Sequence, residues 1–238
     1  LLLKAKGTLC AECHDSAKEP FRKAHENYPV QNADCSVCHD PHSSVQKGLL
    51  KVSAHDPMAS GSCSACHADA KGAKPFAVTG DGAALCSNCH DEAALTGGAK
   101  VVHAPFTAGM CSSCHDPHAS QSTDLLLHGG NALCADCHKE QSAAVTVKHK
   151  AVSEGKGCLS CHGAHAAKEK GLLLAKDAEL CYPCHTKQKT ETFKAAHTPF
   201  QEGMCSSCHN PHGSAAPHLL TDREDRVCYG CHSDSEAE

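Results

Sequence analysis

The sequence predicts a chain that is mostly coil with short helices and little or no β-structure, built around bound groups more than around side chains. Aromatic residues make up only 3% of the 238 residues and Trp is absent, so few large side chains can fill a core. Cysteine and histidine are in contrast abundant, at 20 and 21 residues. Gly, Pro, Ser and Asp interrupt nearly every interval, and no helical or strand periodicity persists. We expect short helical turns at the cysteine motifs and just after them, for example over 140–148.

The chain contains an internal repeat. His103–His118 and His197–His212 match at 12 of 16 positions and lie 94 residues apart, and half that distance is the true period. Each full repeat has one cysteine motif preceded by Leu and one followed by a CHxxH extension. Cys63 follows Cys35 by only 28 positions, so half a repeat was inserted or lost there. We therefore predict a single unit over 1–238 with approximate repeats 1–50, 51–80 (half), 81–128, 129–175, 176–220 and 221–238 (partial).

Ten CxxCH motifs use all 20 cysteines. Two thiols three positions apart can both reach the vinyl groups of one porphyrin, and the next residue then presents imidazole to the iron; this spacing is the signature of c-type haem attachment. The sequence thus predicts ten covalently attached haem c groups. The attachment cysteines are Cys10, Cys13, Cys35, Cys38, Cys63, Cys66, Cys86, Cys89, Cys111, Cys114, Cys134, Cys137, Cys158, Cys161, Cys181, Cys184, Cys205, Cys208, Cys228 and Cys231. The proximal ligands are His14, His39, His67, His90, His115, His138, His162, His185, His209 and His232.

Other cysteine chemistry explains the pattern less well. Cys158 follows Cys137 by 21 positions, which puts these two CxxC pairs at the edge of the zinc-ribbon template, but zinc gives no reason for a His after every second Cys. Disulfides would not enforce a constant spacing or an adjacent His. An iron–sulfur cluster would need a third or fourth cysteine nearby.

Eleven histidines remain as candidates for the second axial ligand. Nine recur in register with the motifs, and two do not. His25, His55, His103, His149 and His197 precede a CxxCH motif by eight to ten residues, and His42, His118, His165 and His212 form the CHxxH extension. His128 and His218 lie outside this register, yet ten bis-histidine haems require ten distal ligands, so at least one of the two should ligate.

In a helical turn, the second His of CHxxH projects from nearly the same face as the first. It should therefore bind the iron of another haem, which forces two haems close together. No spare His follows His232, so we expect the Cys228 haem to take its distal ligand from upstream, from His218 or His212, or from another molecule. The last arrangement would make the protein polymerise through iron coordination.

The charge and hydropathy of the sequence restrict the kinds of partner and location that we expect. The formal net charge of −5 argues against a nucleic-acid partner, and haem propionates would make the holoprotein more acidic. No apolar run approaches the roughly 20 residues that span a membrane. Leu1 to Leu3 is followed at once by Lys4, which is not a signal peptide, so an export signal must have been removed or lie outside this numbering.

The motifs resemble those of the doubled-CXXCH multihaem cytochromes. The features that carry the resemblance are CHDPH at His39–His42 and His115–His118, CHNPH at His209–His212, and the recurrent Leu-Cys. The chain is also similar to periplasmic decahaem subunits of porin–cytochrome conduits and to cytochromes that polymerise into extracellular filaments. CHGAH at His162–His165 departs from the proline form, and the Cys63 motif lacks the extension.

The resemblance implies a multihaem cytochrome c fold with a core of packed bis-histidine haems. It also implies an extracytoplasmic location (periplasm, outer surface or extracellular). The implied partners are other redox proteins, extracellular acceptors, a porin or membrane complex, or further copies of the chain.

The leading functional interpretation is a conduit for electrons without catalysis, because iron with two imidazoles has no open site for substrate and lacks an axial Met that would raise its potential. The alternative is a multihaem reductase. Such enzymes keep one haem open, whereas here all ten motifs end in His. An electron-delivery subunit of a separate oxidoreductase would have the same haem properties as a conduit.

Overall fold

A computed structural model describes residues 4, 6–141, 145–190 and 192–232. Within them lie short α-helices, 3-10 turns and two-residue strands. The helices are α1 (Lys6–Ala11), α2 (Glu19–Ala24), α3 (Asp56–Ala59), α4 (Gly82–Ser87), α5 (Glu92–Thr96), α6 (Ala104–Thr107), α7 (Asn131–Ala135), α8 (Lys150–Ser153), α9 (Asp177–Cys181), α10 (Thr186–Thr190), α11 (Thr198–Gln201) and α12 (Glu224–Tyr229). The strands are β1 (Ser53–Ala54), β2 (Val101–Val102), β3 (Ala119–Ser120), β4 (Val147–Lys148), β5 (Ala166–Ala167) and β6 (Gly213–Ser214).

The predicted fold class is confirmed: the helices are four to six residues long, the strands form only small antiparallel pairs, and most of the chain is coil. The predicted helical turn over 140–148 is wrong for its last residues, because Val147–Lys148 forms strand β4. Residues 142–144 lie outside the described part of the chain. The β-branched Val147 suits the extended strand that pairs there with β6.

The cysteine motifs fall into two structural classes. In one class, which we call the helix motifs, the first cysteine lies at the C-terminal end of a short α-helix; these are the motifs of Cys10, Cys86, Cys134, Cys181 and Cys228. In the other class, the turn motifs, a 3-10 turn begins at or just before the first cysteine; these are the motifs of Cys35, Cys63, Cys111, Cys158 and Cys205. The two classes alternate along the chain, except that two turn motifs follow one another at Cys35 and Cys63.

Each turn motif begins a closed loop. The proximal histidine forms an isolated antiparallel bridge with the residue 11 positions later, as between His115 and Leu126. The carbonyl of the second cysteine then accepts the amide that follows, with a distance of 2.9 Å between Cys114 O and Leu127 N. We call these 11-residue segments the motif loops; they cover 40–50, 68–78, 116–126, 163–173 and 210–220.

The chain divides into two compact units, one with the residues up to Glu92 together with Ala104–Gly129, and the other with Ala93–His103 together with the residues from Gly130 onwards. Within the first unit β1 pairs with β3, and within the second β2 pairs with β5 and β4 with β6. The organisation as one decahaem unit stays a prediction. Among the described residues no helix has the length and apolarity needed to cross a membrane.

Side chains do not form a core of ordinary density. Among the described residues, the only buried apolar ones are Tyr28, Ala119 and Ala167, and no large side chain is fully buried. Tyr28 packs against the motif loop that follows Cys63, where the break in the repeat ends. Its hydroxyl donates to Ala68 O at 2.6 Å, and its ring packs on Phe76 with centroids 5.7 Å apart. It thereby closes the motif loop at Cys63, which lacks the CHxxH extension.

Candidate haem sites

All ten CxxCH motifs, in both classes, share one main-chain hydrogen bond. In each, the amide of the histidine donates to the carbonyl of the first cysteine at 2.9 to 3.0 Å, which closes a single α-turn. None of the 20 cysteines forms a disulfide. The thiols therefore stay available as pairs on one turn, with the imidazole directly after them.

In the turn motifs a main-chain carbonyl orients the proximal imidazole. Nδ1 donates to the carbonyl nine residues later, at distances from 2.7 Å for His115 and Asp124 O to 3.1 Å for His67 and Phe76 O. This bond leaves Nε2 as the basic nitrogen that can bind a metal. In four of the loops the acceptor residue is left-handed, as at Gly48 (φ 73°) and Asp124 (φ 57°).

The left-handed turn has a conformational cost. The acceptor is followed each time by a leucine that is also left-handed, such as Leu125 with φ 57°. A bulky residue in this region costs roughly 1–2 kcal/mol. Since the turn aims the carbonyl at the proximal imidazole, we attribute the strain to positioning of that ring.

Histidines from the CHxxH extension stack on proximal histidines of a preceding turn motif. The rings of His67 and His118 lie 5.8 Å apart between centroids at an interplanar angle of 10°, and those of His162 and His212 lie 6.0 Å apart at 13°. The histidine of the CHxxH extension lies 50 or 51 residues after the proximal histidine on which it stacks. The first turn motif differs, because His39 is 6.3 Å from His25 in an edge-on arrangement.

Four helix motifs are paired with histidines that precede turn motifs. Each of these four histidines skips the motif immediately after it and stacks on the next one, 35 or 36 residues later, whereas His25 lies beside the motif that directly follows it. The four stacked pairs, with centroids 5.9 to 6.1 Å apart, are His55–His90, His103–His138, His149–His185 and His197–His232.

Strand pairing holds three of these distal histidines. His55 directly follows β1, and its amide donates to His118 O at 2.9 Å while its Nδ1 donates to Pro117 O at 2.9 Å. His103 and His149 bond in the same way through Nδ1 to the carbonyls of Ala164 and Pro211. The strand pair β1–β3 therefore links His118, which stacks on His67, to His55, which stacks on His90.

Desolvation favours the neutral form of two of the CHxxH imidazoles. Desolvation lowers the pKa of His118, and desolvation followed by the charge of His162 lowers that of His212. Only the neutral imidazole has a free Nε2 lone pair for iron, so the lowered pKa favours the ligating form.

Thiols of three helix motifs lie near those of the turn motif that follows. Burial followed by Cys10 raises the pKa of Cys35, and burial followed by Cys111 raises the pKa of Cys86. Cys181 and Cys205 lie with Asp177 in a group of ligand atoms all within 4.8 Å of one another, and burial followed by Cys205 raises the pKa of Cys181 to about 11. These thiols belong to two CxxCH motifs, so the group is a meeting point of two haem attachment sites.

Close main-chain packing and a polar contact fix this meeting point. Gly203 is left-handed (φ 72°), and a Cβ there would lie 2.6 Å from the Cβ of Ala178 in α9. Gly109 meets Ala83 of α4 in the same way, at 2.5 Å. The carboxylate of Asp177 also accepts from the amide and hydroxyl of Ser206, at 3.3 and 3.1 Å.

The residues fit a haem with two axial histidines. Metal–imidazole bonds are about 2 Å long, so two Nε2 atoms on opposite sides of one iron are about 4 Å apart. His67 Nε2 and His118 Nε2 are 3.5 Å apart across facing rings, close to that separation. Each of the stacked pairs joins one CxxCH histidine to one histidine from outside the motifs, which is the pairing that a covalently attached haem requires.

Five segments of the chain match the family model of the doubled CXXCH motif, at residues 27–54, 55–95, 103–143, 149–190 and 197–237. The chain belongs to the doubled CXXCH motif family. It is therefore a multihaem c-type cytochrome that binds haem c covalently. No curated protein matches the chain. In four of the five matches, a repeat begins at a histidine such as His55 and ends after the helix motif on which that histidine stacks.

The arrangement of the histidines differs from two expectations about ligand supply. The CHxxH segment is not a helical turn, because the residues after His115 bend into the extended strand β3. The Cys228 motif is paired with neither His218 nor His212, since His197 stacks on His232. The helix motifs with a stacked partner thus take it from upstream and not from their own downstream segment.

The other candidate histidines lie in different settings. His218 is exposed and left-handed, and its carbonyl accepts Nδ1 of His209 at 2.9 Å, so it occupies the place that Gly48 has in the first loop. His128 is exposed in the bend after Leu126, and His14 is exposed at the end of its motif. The His165 carbonyl accepts the amide of His103 at 2.8 Å. His42 is considered below. The sequence register did not reveal the carbonyl acceptors, although the repeated Gly-Leu-Leu at Gly48 and Gly171 was a visible signal.

Proposed function

We propose that this cytochrome carries electrons along a chain of ten closely spaced bis-histidine haems and performs no catalysis of its own. The observation that carries the proposal is the repeated stacking of a CxxCH histidine on a second histidine, as in His67 with His118 and His149 with His185. When two imidazoles occupy both axial positions, the iron is low-spin and has no site for substrate.

Each haem supplies the one-electron chemistry, and the protein supplies ligation, spacing and electrostatics. The adjacent thiols of Cys181 and Cys205 support short distances between neighbouring haems. The Nδ1–carbonyl bonds make the histidines more basic ligands, which favours ferric iron and a low reduction potential. Such potentials suit anaerobic respiration with periplasmic or extracellular acceptors.

We further propose an extracytoplasmic location and redox proteins or external acceptors as partners. Polymerisation stays a proposal, but the Cys228 haem does not require it, because His197 of the same chain lies beside His232. The alternative function is a multihaem reductase or its electron-delivery subunit, and this alternative requires at least one iron with an open axial position.

Intact-protein mass spectrometry and electron paramagnetic resonance of the oxidised holoprotein test the proposal together. We expect a mass increment of ten haems and only low-spin ferric signals. Fewer haems would contradict the count, and a stoichiometric high-spin signal in the assembled protein would favour the reductase.

A further inference from the structure

The first motif loop has an unused docking edge. Three later loops carry the strands β3, β5 and β6. Each of these pairs with a strand that is followed directly by a distal histidine. The equivalent residues of the first loop are Ser43 and Ser44. Within the described part of the chain, no strand pairs with them.

This edge is already formed. Ser44 Oγ donates to Leu50 O, as Ser120 Oγ does to Leu126 O in a docked loop. The amide of Gln46 donates to Ser44 Oγ at 2.8 Å, in the same position as the 3.0 Å bond from Ser122 to Ser120 Oγ.

The residues of the free loop are more exposed than the equivalent residues of the docked loops. Ala119 is 0% exposed and Ala167 4%, whereas the equivalent residues of the first loop are exposed or half-buried. The side chain of His42 is 93% exposed, compared with 39% for its equivalent His118. Val45, next to the edge, is the most exposed large apolar side chain that the structure describes, at 85%.

One segment that ends in a histidine has no loop to pair with among the described residues. Ala195-Ala196-His197 aligns with Ser53-Ala54-His55, yet it pairs with no loop among the described residues. His197 Nδ1 has no hydrogen bond in this part of the chain, whereas Nδ1 of His55, His103 and His149 each donates to a loop carbonyl at 2.9 Å. The exposed Phe193 flanks this segment as Val45 flanks the loop.

We infer that residues 195–197 of one copy dock on residues 41–44 of a second copy, in the register of the three internal strand pairs. In that register Ala196 lies opposite Ser43, and Ala195 opposite Ser44, as Ala54 and Ser53 lie opposite Ala119 and Ser120. The amide and Nδ1 of His197 donate to the carbonyls of His42 and Pro41 of the second copy. Because the two edges differ, the contact is head-to-tail and propagates as an open chain.

Docking also places His42 at a haem site. In the internal case, β4 docks on β6, and the loop's own His212 stacks on His162, which follows β4 by 14 residues. His209 bears the same relation to residues 195–197. The docked copy therefore presents His42 to the Cys205 haem, and this part of the inference rests on the proposed function.

The test measures the mass of the full-length holoprotein by sedimentation and light scattering over a range of concentrations. Wild-type protein should form chains that lengthen with concentration. Ser43→Glu should abolish them, because the docked position accepts only small buried residues, and Ala195→Glu should do so from the other side. Ala215→Glu puts the same charge on an exposed small residue next to β6 and should leave assembly unchanged.

Mixing the two variants gives the sharpest result. Ser43→Glu retains a free strand and Ala195→Glu a free loop, so an equal mixture should give a species of two copies and nothing longer. Each variant alone should show a high-spin signal from one haem, and mixing should halve the summed signal, because only the Ser43→Glu copy regains a docked His42. A wild-type protein that stays single at every concentration, or a mixture that does not pair, would overturn the inference. If such a protein still reduces all its haems reversibly, electron transfer stands while docking fails.

Discussion

His67 and His118 face one another across 3.5 Å between their Nε2 atoms, although 51 residues separate them in the chain. One belongs to a CxxCH turn and the other to the extension of the next turn motif. The stacked His162 and His212 repeat this relation with a separation of 50 residues. A haem held by such a pair would tie two repeats together, so that its ligation would also stabilise their packing.

Exchange of His212 for methionine tests the ligand assignment. His212 stacks on His162, so His212→Met should convert one low-spin bis-histidine haem into a histidine–methionine or high-spin haem and raise its reduction potential. The matched control is His218→Gly in the same loop. His218 contributes its carbonyl from a left-handed position, and glycine keeps both features.

Electron paramagnetic resonance and potentiometric titration read out both variants. A change in one haem for His212→Met and none for His218→Gly is expected. Loss of a low-spin haem in the His218 variant would show that His218 is itself an axial ligand.

Gly203→Ala tests the docking of helix motifs on turn motifs. The added methyl group would clash with the Cβ of Ala178 and would also meet the left-handed backbone, for an expected loss of about 2–4 kcal/mol in the free energy of unfolding. Gly171→Ala is the matched control, because its φ of 73° is nearly the same and nothing lies within 4 Å of the new Cβ. It should lose only about 1 kcal/mol. Denaturant titration followed by Soret circular dichroism measures both, and equal losses would contradict the packing argument.

Acid should weaken the first motif loop through Asp40. The amide of His42, followed by the side chain of Gln121, holds the pKa of Asp40 below its ordinary value. A carboxyl with a lowered pKa in the folded state stabilises the fold above its unfolded pKa, near 3.9, and this contribution is lost as the pH falls through the lowered value. Asp40→Asn keeps the acceptor, as Asn210 shows by accepting the amide of His212 at 3.1 Å.

The stability difference between wild type and Asp40→Asn should thus shrink between about pH 5 and pH 2. Thermal unfolding monitored at the Soret band across that range measures it. A difference that stays constant with pH would show that the carboxylate charge contributes nothing.

The sequence predicts the local chemistry well, because CxxCH spacing reflects covalent geometry within one turn. It does not predict which distal histidine goes where. That choice depends on strand pairs such as β1–β3, which are two residues long, carry little propensity signal and join segments more than 60 residues apart. The partner of His90 was therefore not foreseeable, although His55 was among the candidates. Tyr28 was also missed, since a lone tyrosine beside a broken repeat gives no pattern.

Carbon monoxide binding to the reduced holoprotein tests the central claim most directly. The ligand binds only where an axial position is open, so the optical spectrum in the Soret region reports any iron without two protein ligands. With every haem coordinated by paired histidines such as His67 and His118, we expect the assembled protein's spectrum to stay unchanged after addition of carbon monoxide. A stoichiometric shift of one haem or more would contradict the conduit and bring the reductase forward.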